Sequence, residues 1–513
     1  STERWTTLWN AGTVPGDPRT KGTRTMADRT IRHIEHTRRI DILSEQELED
    51  IREASLEVLE RTGIEVRSER MLKELGKAGA AIDESIGRAR FPRDVSLGAL
   101  AQVPLDLPLS SREPGLDLQL DGTRGYLGVD GNAAEVLDLE TDERRASTKT
   151  DCETATRVGD ALPQVGYIWQ PASAREFPVP VEPLNNFQAN LHNTGKHVCM
   201  MTAVTPEQAR AVVEMATIAA GGEIDLYERP IVSAFQCSVS PLVYDGGPLE
   251  AAVEFANAGV PCGFMVMPIL AATSPISRAG TLVISNAEVL AGVVSLQLLA
   301  PGSRTFFGSC ATTMDMRSGA ALCGGPEDLV FQMGNAQLAR SYGLKSMIGT
   351  FASGSKSADW QAGVENALSG FASWVSGVDM FSGAGLLYAA RVFSHAQLVL
   401  DAELFDLVAS MAEGVQSTAP EELAVEVIDA VGPGQHFLDQ EHTLERMHDV
   451  WPSALFSRNS WEEWEADGRP IPKQKATDEA KRLIAEHEAY PLPDGAAEAI
   501  QTVIDDFERE HVR

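Results

Sequence analysis

From about Val165 onward, short apolar runs alternate with longer helix-patterned stretches, and this alternation restricts the fold more than any other feature of the sequence. The runs at 165–172, 197–203, 231–239, 262–268, 305–310, 346–352 and 379–383 have strand length. The stretches 206–220, 249–258, 280–299, 326–342 and 359–375 have helical length, several opened by Thr, Ser or Pro and several closed by Gly. A strand–helix repeat of this kind builds a parallel sheet covered by helices. Seven strands are countable, and an eighth either follows the stretch 394–414 or is hidden in irregular sequence. A closed TIM (β/α)₈ barrel is the economical reading. A doubly wound open sheet is the rival, but no GxGxxG follows an early strand and no Walker pattern occurs.

The flanks read differently. Residues 1–40 are polar and mildly basic with scattered Gly and Pro, and are expected to form an N-terminal arm. Residues 41–160 are expected to form an α+β cap: Ser44 and Glu47 make a capping-box pattern ahead of a helix, a second helix follows near 70–80, and short strands fit 107–137. The barrel is assigned to 161–420. Residues 421–513 are expected to form an acidic helical extension packed on the barrel, its tail split into two amphipathic helices by Pro491 and Pro493.

Composition excludes several functions. The 43 Lys+Arg against 74 Asp+Glu leave a net charge of −31 over 513 residues, which argues against nucleic acid and anionic membrane surfaces as partners. No uninterrupted apolar run reaches the ~18 residues of a membrane span and the first residues lack a signal-peptide layout, so a cytoplasmic location is expected. The six cysteines show no metal-ligand spacing, and reduced buried thiols are expected. His436, His442 and His448 recur at six-residue intervals, which do not share a helical face, so no tightly bound metal is predicted.

In a barrel the working positions are the C-terminal ends of the strands and the loops after them. Those positions are poor in strong acids and bases and rich in small polar groups, Met and aromatics. An aromatic face attracts a quaternary ammonium by ~0.5–2 kcal/mol, although any single ring can equally be ordinary core. The loop Ser353–Glu365 carries Lys356, a candidate for a Schiff base or for binding a carboxylate, and Asp359, a candidate helix N-cap.

At this point a family becomes visible. Asp138-Leu-Glu-Thr-Asp-Glu-Arg-Arg-Ala-Ser-Thr-Lys-Thr-Asp151, Ser240-Pro-Leu242, Met267-Pro268, Ser355-Lys-Ser-Ala-Asp-Trp-Gln-Ala-Gly-Val-Glu365, and Gly434-Gln-His-Phe-Leu438 through His442-Thr443 together resemble the trimethylamine methyltransferase superfamily. The likeness covers roughly 40–470 and is greatest to members without pyrrolysine, which act on quaternary amines such as glycine betaine. It implies a TIM barrel, and transfer of a methyl group to the cobalt of a corrinoid (cobalamin) on a separate carrier protein. In the trimethylamine enzymes a pyrrolysine is expected near the position of Lys356, and here only standard residues occur. The expected substrate is therefore a small cationic methylated compound of the betaine class. Trp169, Phe351 and Tyr388 are expected to surround the cation, and Gln170, Ser309, Lys356, Gln361 or His395 to hold its polar end. A sulfonium such as dimethylsulfoniopropionate, trimethylamine itself, or a non-catalytic betaine-binding barrel are the alternatives, and a homo-oligomer is expected.

Overall fold

A computed structural model of the chain describes residues 29–222 and 226–512. The part of the expected arm before residue 29 lies outside the described residues. At the centre eight parallel strands close on themselves: β1 (Arg124–Val129), β2 (Val165–Trp169), β3 (His197–Met200), β4 (Val232–Cys237), β5 (Cys262–Val266), β6 (Phe307–Ser309), β7 (Ser346–Gly349) and β8 (Met380–Ala384). Each pairs with the next, and β8 pairs back to β1, so the sheet is a barrel without an open edge among these strands. Outside it run α1 (Lys149–Ala161), α2 (Glu182–Asn193), α3 (Pro206–Ala219), α4 (Gly246–Asn257), α5 (Arg278–Leu299), α6 (Pro326–Ser341), α7 (Trp360–Ser376) and α8 (His395–Glu413).

All seven strands read from the sequence recur. The eighth stands ahead of them, not after them: β1 lies inside the stretch expected to be cap, so the barrel begins near residue 124 rather than 161. Its sequence, Arg-Gly-Tyr-Leu-Gly-Val, has two glycines that weaken a strand signal. Gly128 is there for a packing reason. Inward-facing residues alternate along each strand, and a Cβ at Gly128 would lie 2.2 Å from Cζ of Tyr167 on β2. Tyr126, Tyr167, Phe235, Met265, Phe306, Met347 and Met380 fill the barrel, while Leu107, Leu109, Leu118 and Leu120 join the same cluster from the N-terminal end of the strands. Each buried ring or large aliphatic group contributes roughly 1.5–3 kcal/mol.

The helix beginning at the capping box of Ser44 and Glu47 is Glu45–Arg61, and it packs on α5. The helix Pro472–Glu486 packs on α8 and α1, and Ala496–His511 packs on α3 and α2. At 22 residues and mean hydropathy 1.7, α5 is long and apolar enough to cross a membrane, but 78 % of that window is buried inside the protein. All six cysteines are free; Cys152, Cys199 and Cys262 are buried as expected, whereas Cys237, at the end of β4, is exposed.

Candidate active site

The inward alternation of β1 runs Tyr126, Gly128, Asp130. Asp130 is 3 % exposed. The pairing of Gly128 with Tyr167 and of Val129 with Ile168 continues to set Asp130 beside Trp169 at the C-terminal end of the barrel. Trp169 is also buried and meets Phe235 edge to face, with ring centroids 4.4 Å apart at 87°. Asp130 Oδ1 and Trp169 Nε1 both lack a hydrogen-bond partner in the protein. Burial pushes the Asp130 carboxyl well above its usual range, against the hydrogen bonds from Ser382 and the Gly383 amide that hold it down.

Sulfur lines much of the rest of the mouth. Cys310 Sγ lies 3.4 Å from Met265 Sδ, a Cβ at Gly349 would meet that thiol at 2.9 Å, and Met267 is 37 % exposed. Cys199, Cys237 and Cys310 stand at inward positions on β3, on β4 and just past β6 at this end, near enough for a charge on Asp130 to act on all three thiols. By strand parity the inward positions at this end are Asp130, Trp169, Met201, Cys237, Met267, Cys310, Gly349 and Ser382, and none of these is a lysine, arginine or histidine.

The loops around the mouth are pinned by carboxylates from the helices that follow them. Glu288 of α5 accepts from Ser238 Oγ at 2.6 Å, Ser240 Oγ at 2.7 Å and the Leu242 amide at 2.9 Å, so the Ser240-Pro-Leu242 motif is an anchor for the loop after β4. Asp328 of α6 accepts from Thr312 Oγ1 at 3.0 Å and the Gly324 amide at 2.9 Å. Glu365 of α7 accepts from Ser353 Oγ at 2.6 Å and the Gly354 amide at 2.9 Å. Asp401 of α8 accepts from the Gly385 amide at 2.9 Å and from Asn366 and Gln397 at 2.7 Å each. Burial pushes Asp328 and Asp401 each up to about 7, so both sit near the boundary between acceptor and donor. Nothing in the helical pattern of the sequence marks these acids as loop anchors. Their signal is an acid on the buried face of a helix.

The eight residues singled out from the sequence divide into four groups. Trp169 and Gln170 stand together at the end of β2, with Gln170 fully buried, Oε1 accepting from Thr202 at 2.8 Å and Nε2 unpartnered. Lys356, Gln361 and Tyr388 gather on the rim: Lys356 Nζ lies 5.1 Å from the centre of the Tyr388 ring and donates to Gly354 O at 2.7 Å, the Tyr388 amide donates to Ser355 O at 2.7 Å, and Gln361 donates to Glu365 at 2.8 Å. Ser309 and Phe351 point away from the mouth. Ser309 has the outward parity of β6 and bonds Ser285 of α5 at 3.0 Å, and Phe351 is buried under α7, where a Cβ at Gly370 would touch its ring at 3.0 Å. His395 is likewise turned outward, between α8 and α1, with Nε2 3.0 Å from Thr154 Oγ1; burial pushes it down to about 4, so it is neutral. Asp359 caps α7, accepting from the amides of Gln361 and Ala362.

Of the two remaining motifs, one has a structural explanation. In 138–151, Arg145 ties Asp151 at 2.7 and 2.8 Å to Asp138 at 3.1 Å, and Thr148 and Asp151 form the capping box of α1. The 434–443 segment is largely exposed, with Phe437 at 43 % and Leu438 at 56 %.

The sequence matches the trimethylamine methyltransferase family over residues 16–511. The chain belongs to that family. It is 33 % identical to the trimethylamine methyltransferase of Desulfitobacterium hafniense over 469 residues, covering 91 % of this chain and 94 % of that protein. It is 30 % identical to the glycine betaine methyltransferase of the same species, covering 87 % of this chain and 93 % of that protein. To the trimethylamine methyltransferase of Methanosarcina barkeri it is 28 % identical, covering 91 % and 95 %. Among solved structures, the Methanosarcina barkeri monomethylamine methyltransferase superposes with a TM-score of 0.47 at 11 % identity, covering 88 % of this chain and 96 % of that one. As a member of the trimethylamine methyltransferase family, the protein is a methyltransferase.

Proposed function

We propose that this family member removes a methyl group from a quaternary amine of the betaine class and passes it to a corrinoid held by a separate carrier protein. The observation that carries the reading is the mouth itself: Asp130 and Trp169 side by side among thiols and thioethers, with no lysine, arginine or histidine at the inward strand positions there. A tertiary amine leaves from a quaternary ammonium without needing a proton. A site for that reaction needs no general acid; it needs to hold a fixed cation, aim one methyl outward and exclude water.

Trp169 presents a ring to the cation, and its neighbour Phe235 holds that ring edge-on. The anchoring of the loops by Glu288, Asp328, Glu365 and Asp401 keeps the mouth in one shape, so methyl positioning costs little reorganisation. Lys356, exposed on the rim above Tyr388, is the group we assign to the carboxylate of a betaine. The rim also fits a corrin face, since Val239, Met267, Ile276 and Met316, from the loops after β4, β5 and β6, are 48, 37, 72 and 65 % exposed. Bound there, the corrinoid supplies a low-valent cobalt nucleophile for the methyl group.

The test is to incubate the protein with a reduced corrinoid carrier and a panel of glycine betaine, other betaines, trimethylamine and dimethylsulfoniopropionate, with products read by mass spectrometry. The expected result is loss of one methyl group from a betaine. Turnover of trimethylamine or the sulfonium alone would overturn the assignment of substrate class, and no demethylation of any compound would overturn the reaction.

A further inference from the structure

A buried carboxyl without a cationic partner is an expensive group to keep, and Asp130 is one. The groups acting on it are named by the strands around it. Tyr167 faces it from β2, Cys199 from β3, Cys237 from β4 and Cys310 from β6, while Ser382 and the Gly383 amide approach from β8. None of these is a cation. Burial keeps Tyr167 and Cys310 well above their usual ranges and pushes Cys199 up to about 12, so the surrounding hydroxyl and thiols remain neutral. Ser382 and the Gly383 amide lie on one side and favour the carboxylate, while Oδ1 is shut off from solvent without a hydrogen-bond partner, beside a Trp169 indole nitrogen that also lacks one.

We propose that Asp130 is the counter-ion of the substrate's quaternary nitrogen and gives up its proton to solvent as the cation enters the mouth. The inference rests on the reading of the mouth as a site for a fixed cation, and not on the corrinoid chemistry. In the ligand-free protein a neutral carboxylic acid avoids the cost of an isolated charge in an apolar funnel. A positive centre within ~4–6 Å reverses the preference and favours the carboxylate. A quaternary ammonium has no N–H, so it cannot satisfy Oδ1 by a hydrogen bond. The recognition is Coulombic, through its polarised methyl groups, and complements the attraction of the Trp169 ring. A neutral carbon copy of the same shape gains neither.

The full-length protein is titrated by calorimetry with glycine betaine, with tetramethylammonium, and with 3,3-dimethylbutanoate, in which carbon replaces the positive nitrogen of betaine. Wild type is expected to bind betaine about tenfold or more tightly than the carbon copy. Titrations in two buffers of different ionisation enthalpy should show proton release with the cations and none with the carbon copy. In Asp130→Asn the two cations are expected to weaken about tenfold and the release to vanish, with the carbon copy unchanged. The wild-type comparison stands even if Asp130→Asn does not fold. Equal wild-type affinity for betaine and its carbon copy, or a folded Asp130→Asn that binds the cations as tightly as wild type, overturns the inference. No methyl transfer occurs in these titrations. Cation binding that depends on Asp130 in a protein that demethylates no amine therefore keeps this inference and refutes the proposed reaction; demethylation with unchanged binding by Asp130→Asn does the reverse.

Discussion

The ring of Tyr167 occupies the volume that a side chain at Gly128 would need: the two residues are register partners on β1 and β2, and a Cβ at position 128 would lie 2.2 Å from Cζ and 2.6 Å from the hydroxyl oxygen. That hydroxyl crosses the barrel to donate to Phe381 O at 3.2 Å. Gly263 and Phe306 repeat the arrangement, with a Cβ at 263 only 2.4 Å from the ring. Small residues on one strand thus make room for rings from its neighbours, and the floor beneath Asp130 and Trp169 is solid.

Gly128→Ala is accordingly expected to lower stability by about 1–3 kcal/mol, the usual cost of overpacking a full core. Chemical denaturation followed by circular dichroism measures it. Adding Tyr167→Leu should recover part of the loss, because it removes the ring that the new methyl group meets. A Gly128→Ala protein as stable as wild type would show that the ring can move aside.

Trp169 is expected to act on the cation, and because it is buried in the barrel cluster against Phe235 its removal is expected to cost stability as well. Trp169→Ala should raise the KM or Kd for a quaternary amine by about 2- to 30-fold, corresponding to the ~0.5–2 kcal/mol of a ring–cation contact. Trp169→Phe, which keeps a face of weaker quadrupole, should lose less. Steady-state kinetics with the corrinoid carrier, or calorimetry without it, separates the two variants.

Asp160 joins four parts of the chain at the opposite end of the barrel. It is fully buried, accepts from Thr194 Oγ1 at 2.5 Å and the Gly195 amide at 3.2 Å, and meets Arg29 at 3.2 Å and His487 at 2.6 Å. Burial alone would raise its pKa, but the hydrogen bond from His487 and the charges of Lys196 and Arg29 outweigh it and hold the carboxyl well below the usual range. Asp160→Ala should cost about 3–5 kcal/mol, because it strands buried partners. A carboxyl lowered in the folded state contributes stability that is complete above its unfolded value of about 3.9 and is lost as pH falls through the folded value. The gap in melting temperature between wild type and Asp160→Ala is therefore expected to narrow only below about pH 4, as checked by thermal melts across pH.

The strand–helix repeat was legible because β2 to β8 are apolar runs bounded by caps and glycines, and these are local signals. β1 was not, since its glycines serve Tyr167 on another strand and look like a turn when read alone. α1 and α2 were missed for a related reason. α1 carries Gly159, whose missing side chain makes room for Val129 and Ile168, and α2 carries a run of buried polar residues, Asn185, Asn186, Gln188 and Asn190, that reads as a loop. In the site, Trp169 and Gln170 followed from their place at a strand end. Ser309 and Phe351 sat at strand ends too, but one step of alternation turned them toward the helices. Asp130 was invisible, lying just past a strand that itself had not been seen.

The sequence by itself determined the barrel class, the family, and a mouth poor in proton-transfer groups, because periodicity, motif and residue type are properties of the chain. Only the tertiary structure decided which residues face that mouth. Inward or outward direction follows strand parity, and parity depends on where each strand starts, on the β8–β1 bulge and on the closure of the barrel through β1. Closure also brings Asp130 of β1, Trp169 of β2 and Cys310 of β6 to one end of the barrel, and it leaves that single carboxyl buried with no cation of its own.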